Sequence, residues 1–186
     1  MVDVLVRVLV SFAAMATAAV GGCFLAFSDF LMVSLAEVGE PCGSSVMKQI
    51  NVNVYGSVIL TLFVLLAPVS LAFVGFAICS GHRRRHGRQS IILWLLLACV
   101  VYCGGCFAVT GLENIPLNDH LAATQGHGTA KFWRHTFLPK WTAYNTARAV
   151  ACFVASACYF VAFALLGDKV EYDHEQSSTQ LLPTTG

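Results

Sequence analysis

The chain has 186 residues, of which 57% are hydrophobic and only 11% are charged, and its formal net charge is +1. A mean hydropathy of +0.71 lies above the usual range of soluble globular domains, so the composition excludes a soluble domain and favours a membrane protein. The net charge indicates no particular partner. We expect the lipid bilayer as a partner and no nucleic acid.

Four apolar segments are long enough, at 1.5 Å per residue, to cross roughly 30 Å of hydrocarbon. They cover about residues 4–27, 54–79, 91–109 and 142–166. The predicted fold is therefore all-α, a bundle of four transmembrane helices in one membrane domain over residues 1–167. Residues 168–186 are polar and rich in Ser and Thr, so we expect a disordered cytoplasmic tail.

The first segment has an alternative interpretation as a cleaved signal peptide, because "AMATAAV" offers small residues near a plausible cleavage point. Its apolar run continues through "GGCFLAF", which is longer than the apolar core of a signal peptide. We therefore favour an uncleaved membrane helix.

Orientation follows from the turn "GHRRRHGR" between the second and third segments, which holds four arginines. Short loops rich in Lys and Arg stay in the cytoplasm, so both termini are predicted to be cytoplasmic. Residues 28–53 and 111–140 then form two polar loops on the outer side, the second between helices 3 and 4. The arginines also suit a contact with acidic lipids, and both interpretations can hold. The organelle and the oligomeric state stay open.

Unusual polar residues gather at the outer side in this topology. Asn51 and Tyr55 lie one turn apart where the second helix is predicted to begin. Trp141, Asn145 and Arg148 are spaced i, i+4 and i+7, which places them on one stripe of the fourth helix. The loop before that helix contributes further polar side chains: Asn114, Asn118 and Asp119.

Arg148 is the one charge inside an otherwise apolar part of its segment. It lies about nine residues beyond Pro139, hence roughly 14 Å along the helix. Facing lipid it would cost about 2.5 to 3.5 kcal/mol, so it should face the bundle interior and find an acceptor. The candidate acceptors on that side are acidic: Asp29, Glu37, Glu113 and Asp119. A structural ion pair would explain Arg148 alone, whereas the nearby Asn145, Trp141 and Tyr144 favour a binding site.

Four short motifs carry a resemblance to a known family. "FSDFLMVSL", "MKQIN", "NIPLND" and "WTAYNTAR" occur in the order, and at about the spacing, found in the anthrone-oxygenase-like family of small four-helix membrane proteins. Many members are known only as a domain of unknown function. The characterised members mainly oxidise an anthrone methylene to an anthraquinone with molecular oxygen. The resemblance covers most of the chain and implies an oxygenase of a flat phenolic or ketonic substrate.

The implied chemistry needs a base and a cradle for an oxyanion. A deprotonated anthrone is an extended phenolate that can give an electron to oxygen without a metal or flavin, so no cofactor is expected. Arg148 and Asn145 would form the cradle. Asp119 or His120 would be the base, and Asp119 is favoured because it lies within the resembling motif. Asp119 has two other interpretations, a helix cap near His120 or an ion pair with Arg148. The expected substrate contacts are Asn114 and Asn118 for hydroxyl groups, Trp141 and Tyr144 for stacking, and Asn51 and Tyr55 at the mouth.

The histidines suggest no metal site. None of them lies within a predicted membrane segment, which argues against a haem held between helices. The second outer loop holds His120, His127 and His135, and their spacings match no compact metal site. We therefore predict no bound metal.

The cysteines and the helix packing leave two other functions open. Cys103 and Cys106 form "CGGC" in the third segment, a pattern also found in thiol oxidoreductases of four-helix membrane bundles. Such enzymes usually need a shuttle pair in an outer loop, where this chain has only Cys42. The small Cys and Gly residues would also let helices pack closely. A further alternative is a non-enzymatic protein that binds a small aromatic or apolar molecule.

Overall fold

The protein is described here by a computed structural model that covers residues 2–79 and 88–180, with side chains over 4–79 and 89–167. The described chain is all-α. Four of its helices contain a stretch long and apolar enough to cross a membrane, as predicted, and we call these helices membrane helices 1 to 4. The four stretches are Val4–Glu37, Val58–Cys79, Gln89–Ala123 and His127–Gly167. The chain is thus a multi-pass membrane protein. The basic turn between helices 2 and 3 lies outside the described residues.

Three of the membrane helices are built from successive α-helical and π-helical segments. Helix 1 consists of Val2–Ala26, π-helical Phe27–Leu31 and Met32–Glu37. Helix 3 consists of Arg88–Val100, the π-helical segments Val101–Ala108 and Thr110–Asn114, and Ile115–Ala123. Helix 4 consists of His127–Phe132, π-helical Trp133–Phe137 and Leu138–Gln180. Helix 2 is a single α-helix, preceded by a short helix, Cys42–Asn53, and a 3₁₀ turn, Val54–Gly56.

The two predicted polar loops are largely helical, which corrects the sequence-based boundaries. Helix 1 continues to Glu37, and the connection between helices 3 and 4 shrinks to residues 124–126, where Gly126 has a positive φ of 59°. Asn51 and Tyr55 lie in the short helix and the 3₁₀ turn, and helix 2 begins only at Val58. Hydropathy identifies only the apolar part of a helix, so it does not detect a polar continuation of the same helix.

The carboxyl-terminal segment also differs from the prediction. Helix 4 runs on to Gln180, so residues 168–180 are helical where a disordered tail was expected. Residues 181–186 lie outside the described part of the chain. The division into a membrane domain and a tail stays a prediction.

Helix 4 is the centre of the bundle and runs antiparallel to helices 1 and 3. Against helix 1, Asn145 meets Phe24 while Ser156 meets Ala14, so the residue numbers change in opposite directions. Two glycines permit close packing: a Cβ on Gly105 would lie 2.8 Å from that of Ala151, and one on Gly21 would lie 2.9 Å from that of Cys152. Lipid offers no hydrophobic driving force for helix association, so membrane helices associate through close packing. Small residues at the contacts permit that packing.

One end of the bundle is closed by a hydrophobic cluster that is separate from the main core between the helices. We call it the cap cluster: Met32, Leu35, Met47, Leu121, Trp133, Phe137 and Trp141. It ties the short helix Cys42–Asn53 to the ends of helices 1 and 3 and the start of helix 4. Trp133, Phe137 and Trp141 stack at centroid distances of 5.3 and 6.1 Å, as their i, i+4 spacing allows. Lys48 adds a hydrogen bond of 2.9 Å to the Thr124 carbonyl. The polar side chains described next lie just beneath this cap.

Candidate functional site

Arg148 lies in the interior of the bundle with only 5% of its surface exposed. Its guanidinium donates hydrogen bonds to Asn145 Oδ1 at 2.6 Å and to Thr110 Oγ1 at 3.1 Å. The Thr110 hydroxyl donates its own proton to the Cys106 carbonyl, which leaves its lone pairs for the guanidinium. Arg148 therefore faces the protein, as its cost in lipid predicts.

The expected acidic partner of Arg148 is missing among the described residues, which include all four candidate carboxylates. Asp29, Glu37 and Asp119 are exposed and Glu113 is half-buried, and none of them bonds to the guanidinium. The partners are neutral instead. A buried cation without a counter-charge is costly, so this arrangement needs a reason beyond ordinary packing.

Asn145 anchors Arg148 to helix 1. It is fully buried, and its amide nitrogen donates to the Phe24 carbonyl at 2.5 Å and to Ser28 Oγ at 2.7 Å. Because both amide protons are used on helix 1, the amide oxygen is turned toward Arg148. Helix 1 is π-helical from Phe27 to Leu31, next to these contacts, and π-helical turns occur frequently at functional sites.

Two aromatic rings face the guanidinium. The Phe24 ring centroid lies 4.3 Å from Arg148 Cζ, and a Trp141 ring centroid lies 5.5 Å away. Trp141 is held by a hydrogen bond from its Nε1 to Asn118 Oδ1 at 2.9 Å, and its carbonyl accepts one from Asn114 at 3.4 Å. The predicted stripe of Trp141, Asn145 and Arg148 thus shares one buried face. We call the assembly the arginine site: Phe24, Ser28, Thr110, Trp141, Asn145 and Arg148.

Two buried polar atoms lack a hydrogen-bond partner here: Arg148 Nε in the arginine site, and Oδ1 of Asn114, whose amide nitrogen bonds to the Trp141 carbonyl. Buried polar groups in folded proteins are almost always paired, so each of these atoms is able to take a further hydrogen bond. One is a donor on a cation and the other is an acceptor. Together they suit a ligand that carries an anionic oxygen and a hydroxyl group.

Several predicted site residues lie apart from the arginine site. Tyr55 is 76% exposed, Asn51 is half-buried in the short helix, and Asp119 is exposed on the last segment of helix 3. Tyr144 is half-buried beside Glu113. His120 is exposed and stacks on Phe132 at 4.2 Å between ring centroids.

Sequence reasoning missed three members of the site, Phe24, Ser28 and Thr110. Ser28 lies within the motif "FSDFLMVSL", which was a usable signal. Thr110 is four residues from both Cys106 and Asn114, so all three share one helical face. That signal was hidden because the third helix was predicted to end at residue 109.

An open groove of about 740 Å³ lies along helices 1 and 4, and no residue of the arginine site is among those that line it. Its apolar wall includes Met32, Val33 and Leu138, and Met32 is one turn beyond Ser28 on helix 1. Thr142 and Thr146 flank Asn145 on helix 4. The charged side chains at its rim are Glu37 and Arg134.

No group of three or more His, Cys, Asp or Glu side chains that could hold a metal occurs within residues 4–79 and 89–167. The prediction that the protein works without metal or cofactor stays a prediction.

The fold and the site together define a class of protein, a four-helix membrane protein with a buried, carboxylate-free arginine between helices 1, 3 and 4. The sequence profile of the anthrone oxygenase family matches residues 47–158, which is more than half of the chain, and the chain belongs to this family. The matched range contains Thr110, Trp141, Asn145 and Arg148, whereas Phe24 and Ser28 precede it. No curated protein sequence and no solved structure matches the chain significantly.

Proposed function

We propose that the protein is a cofactor-independent oxygenase that converts a flat phenolic or ketonic substrate with an activated methylene into the corresponding ketone. The observation that carries the proposal is Arg148, a buried cation whose hydrogen-bond partners are neutral and whose Nε is unpaired. A cation held in this way favours an anion that arrives with the substrate or forms during the reaction.

The reaction balances without any further reductant. Loss of a proton from the methylene gives a carbanion delocalised onto the aromatic ketone oxygen, and that oxyanion faces the Arg148 guanidinium, which Asn145 Oδ1 orients. Electron transfer to O₂ and recombination give a hydroperoxide, which loses water to leave a carbonyl. The sum is CH₂ + O₂ → C=O + H₂O.

The other residues have supporting roles in this proposal. The unpaired Asn114 Oδ1 accepts a hydrogen bond from a substrate hydroxyl, with Asn118 at the same end of helix 3. Trp141 and Tyr144 contact the flat rings. Asp119 is the proposed acceptor of the methylene proton, and it would receive the proton through water because its carboxylate is exposed and lies apart from the arginine site. Asn51 and Tyr55, which lie apart from the arginine site, are the proposed substrate contacts at the mouth.

An apolar substrate would reach the site from the membrane. The groove along helices 1 and 4 has a volume of about 740 Å³, within the range of pockets that hold drug-sized ligands. With both termini in the cytoplasm, as the four arginines between helices 2 and 3 predict, the arginine site and the cap cluster lie toward the outer or lumenal side.

The test is oxygen uptake and anthraquinone formation by the detergent-purified protein with a simple hydroxylated anthrone. The rate is compared with the spontaneous rate and with Arg148→Ala. We expect acceleration by the parent protein that the folded variant lacks. An absence of acceleration over the spontaneous rate across several anthrones would contradict the oxygenase proposal, and saturable binding without turnover would favour a binding protein.

A further inference from the structure

Two thiols from different helices meet directly below the arginine site. Cys152 Sγ on helix 4 donates a hydrogen bond to Cys106 Sγ on helix 3 over a sulfur-to-sulfur distance of 3.3 Å. Both side chains are fully buried, at 0% exposure. From this separation the two Sγ atoms need to move only slightly toward each other before a disulfide bond can form.

The backbones around the pair already lie close together. The residues that immediately precede the two cysteines, Gly105 and Ala151, are already in tight contact, since a Cβ on Gly105 would approach that of Ala151 to 2.8 Å. Helix 1 packs against the same level, because Gly21 faces Cys152 at a similar distance. The helices are therefore held close at the two thiols.

This pairing differs from the one that the "CGGC" pattern suggests. Cys106 directs its thiol across the helix interface to Cys152, while Cys103 is only half-buried on helix 3. Cys99, Cys103 and Cys158 provide other thiols at neighbouring levels of the bundle. A reaction specific to the interhelical pair can thus be distinguished from reaction of the C-x-x-C pair.

A positive charge lies beside the pair. Cys152 is four residues after Arg148 on helix 4, and Cys106 is four residues before Thr110, which accepts a hydrogen bond from Arg148. Residues four apart lie on one helical face, so the guanidinium sits one turn from both thiols. Burial disfavours the thiolate, which is the reactive form of cysteine, and the neighbouring cation offsets part of that cost.

From this geometry we propose that Cys106 and Cys152 are a redox-active dithiol, which a hydroperoxide oxidises to a disulfide that joins membrane helices 3 and 4. The thiolate of one cysteine attacks the peroxide oxygen, the O–O bond breaks, and a sulfenic acid and an alcohol form. The second thiol then displaces water from the sulfenic acid. The sum is ROOH + 2 RSH → ROH + RSSR + H₂O, with two electrons passing from the thiols to the peroxide. The inference goes beyond the proposed oxygenase function and does not depend on it.

The test counts thiols in the full-length protein in detergent. The protein is reduced, freed of reductant, treated with hydrogen peroxide or with the more apolar cumene hydroperoxide, then denatured and labelled with a maleimide of high mass. The chain has eight cysteines. After peroxide treatment we expect labels on six of the eight cysteines, and dithiothreitol should restore all eight. The digest should contain a disulfide-linked pair of peptides with Cys106 and Cys152.

Matched variants separate this pair from the others. Cys106→Ser and Cys152→Ser should each prevent the paired loss of labels, and Cys103→Ser should leave it intact. A Cys42→Ser, Cys79→Ser background removes two exposed thiols and should not change the result. The peptide map of the peroxide-treated protein with its parent sequence tests the proposal even if a variant fails to fold. A disulfide between Cys103 and Cys106, or full labelling of Cys106 and Cys152 after peroxide, would overturn the inference.

Discussion

A negative charge placed beside Arg148 should inactivate the protein without unfolding it. Thr110 Oγ1 lies 3.1 Å from the guanidinium nitrogen, so a carboxylate in Thr110→Asp falls within reach of the cation. Two unit charges about 4 Å apart attract by about 4 kcal/mol at an effective dielectric constant of 20. That attraction competes directly with the one available to a substrate oxyanion.

The expected loss can be estimated from known oxyanion donors. Removing one such donor costs about 10²- to 10³-fold in rate, and a neutralised Arg148 should cost a similar factor. Thr110→Asn is the matched control, because it has nearly the same shape as Asp and can still accept from Arg148. It should lose less than about tenfold, by analogy with a single neutral hydrogen bond of about 1 kcal/mol.

The measurement is kcat/KM for oxygen uptake with a hydroxylated anthrone, together with thermal unfolding of both variants. Thr110→Asp should unfold at or above the temperature of Thr110→Asn, because it supplies the counter-charge that Arg148 lacks. Equal activity of the two variants would refute the reasoning, since the charge of Arg148 would then be irrelevant. Equal inactivity would show that the shape or hydroxyl of Thr110 matters and the charge does not.

Three further predictions concern the frame of the site and the proposed base. Asn145→Leu should lower the free energy of unfolding by about 2 to 4 kcal/mol, measured by denaturant titration in detergent, because it leaves buried groups on helix 1 and Arg148 unpaired; unchanged stability would contradict those contacts. Gly105→Ala should destabilise by about 1 to 3 kcal/mol, whereas Gly104→Ala, with nothing within 4 Å of its new Cβ, should be neutral or slightly stabilising in the same titration. Asp119→Asn should slow oxygen uptake by about 10²- to 10⁴-fold if Asp119 is the base, with Glu113→Gln as the comparison. A normal rate in Asp119→Asn and a slow rate in Glu113→Gln would instead identify Glu113 as the base.

The membrane helices could be predicted because the bilayer makes a severe demand on sequence. A spanning segment must be apolar and must satisfy its backbone internally, and only a helix of about 20 apolar residues does both within one segment. The helix ends were not predictable in this way. Polar residues such as Glu113 and Asn118 continue helix 3 beyond its most apolar part, and a polar sequence is compatible with either a loop or a helix.

The site was predictable in part for a similar reason. The 3.6-residue period places Trp141, Asn145 and Arg148 on one face, and that face is buried. The partner of Arg148 was not predictable, because nearness of acidic residues in sequence says little about side-chain direction. Thr110 faces helix 4 while Asp119 faces outward, and that difference depends on the register between two helices. The contact between Cys106 and Cys152 depends on the same register, so no local spacing reveals it.

The central claim is that Arg148 binds the anionic form of a flat aromatic ligand. The most direct measurement is a pH titration of the visible absorbance of a bound hydroxyanthraquinone, in the parent protein and in Arg148→Met. A cation within about 4 to 6 Å should lower the pKa of the ligand phenol by about 1 to 3 in the parent protein and not in the variant. The same ligand pKa in both folded proteins, or no binding by the parent protein, would contradict the account.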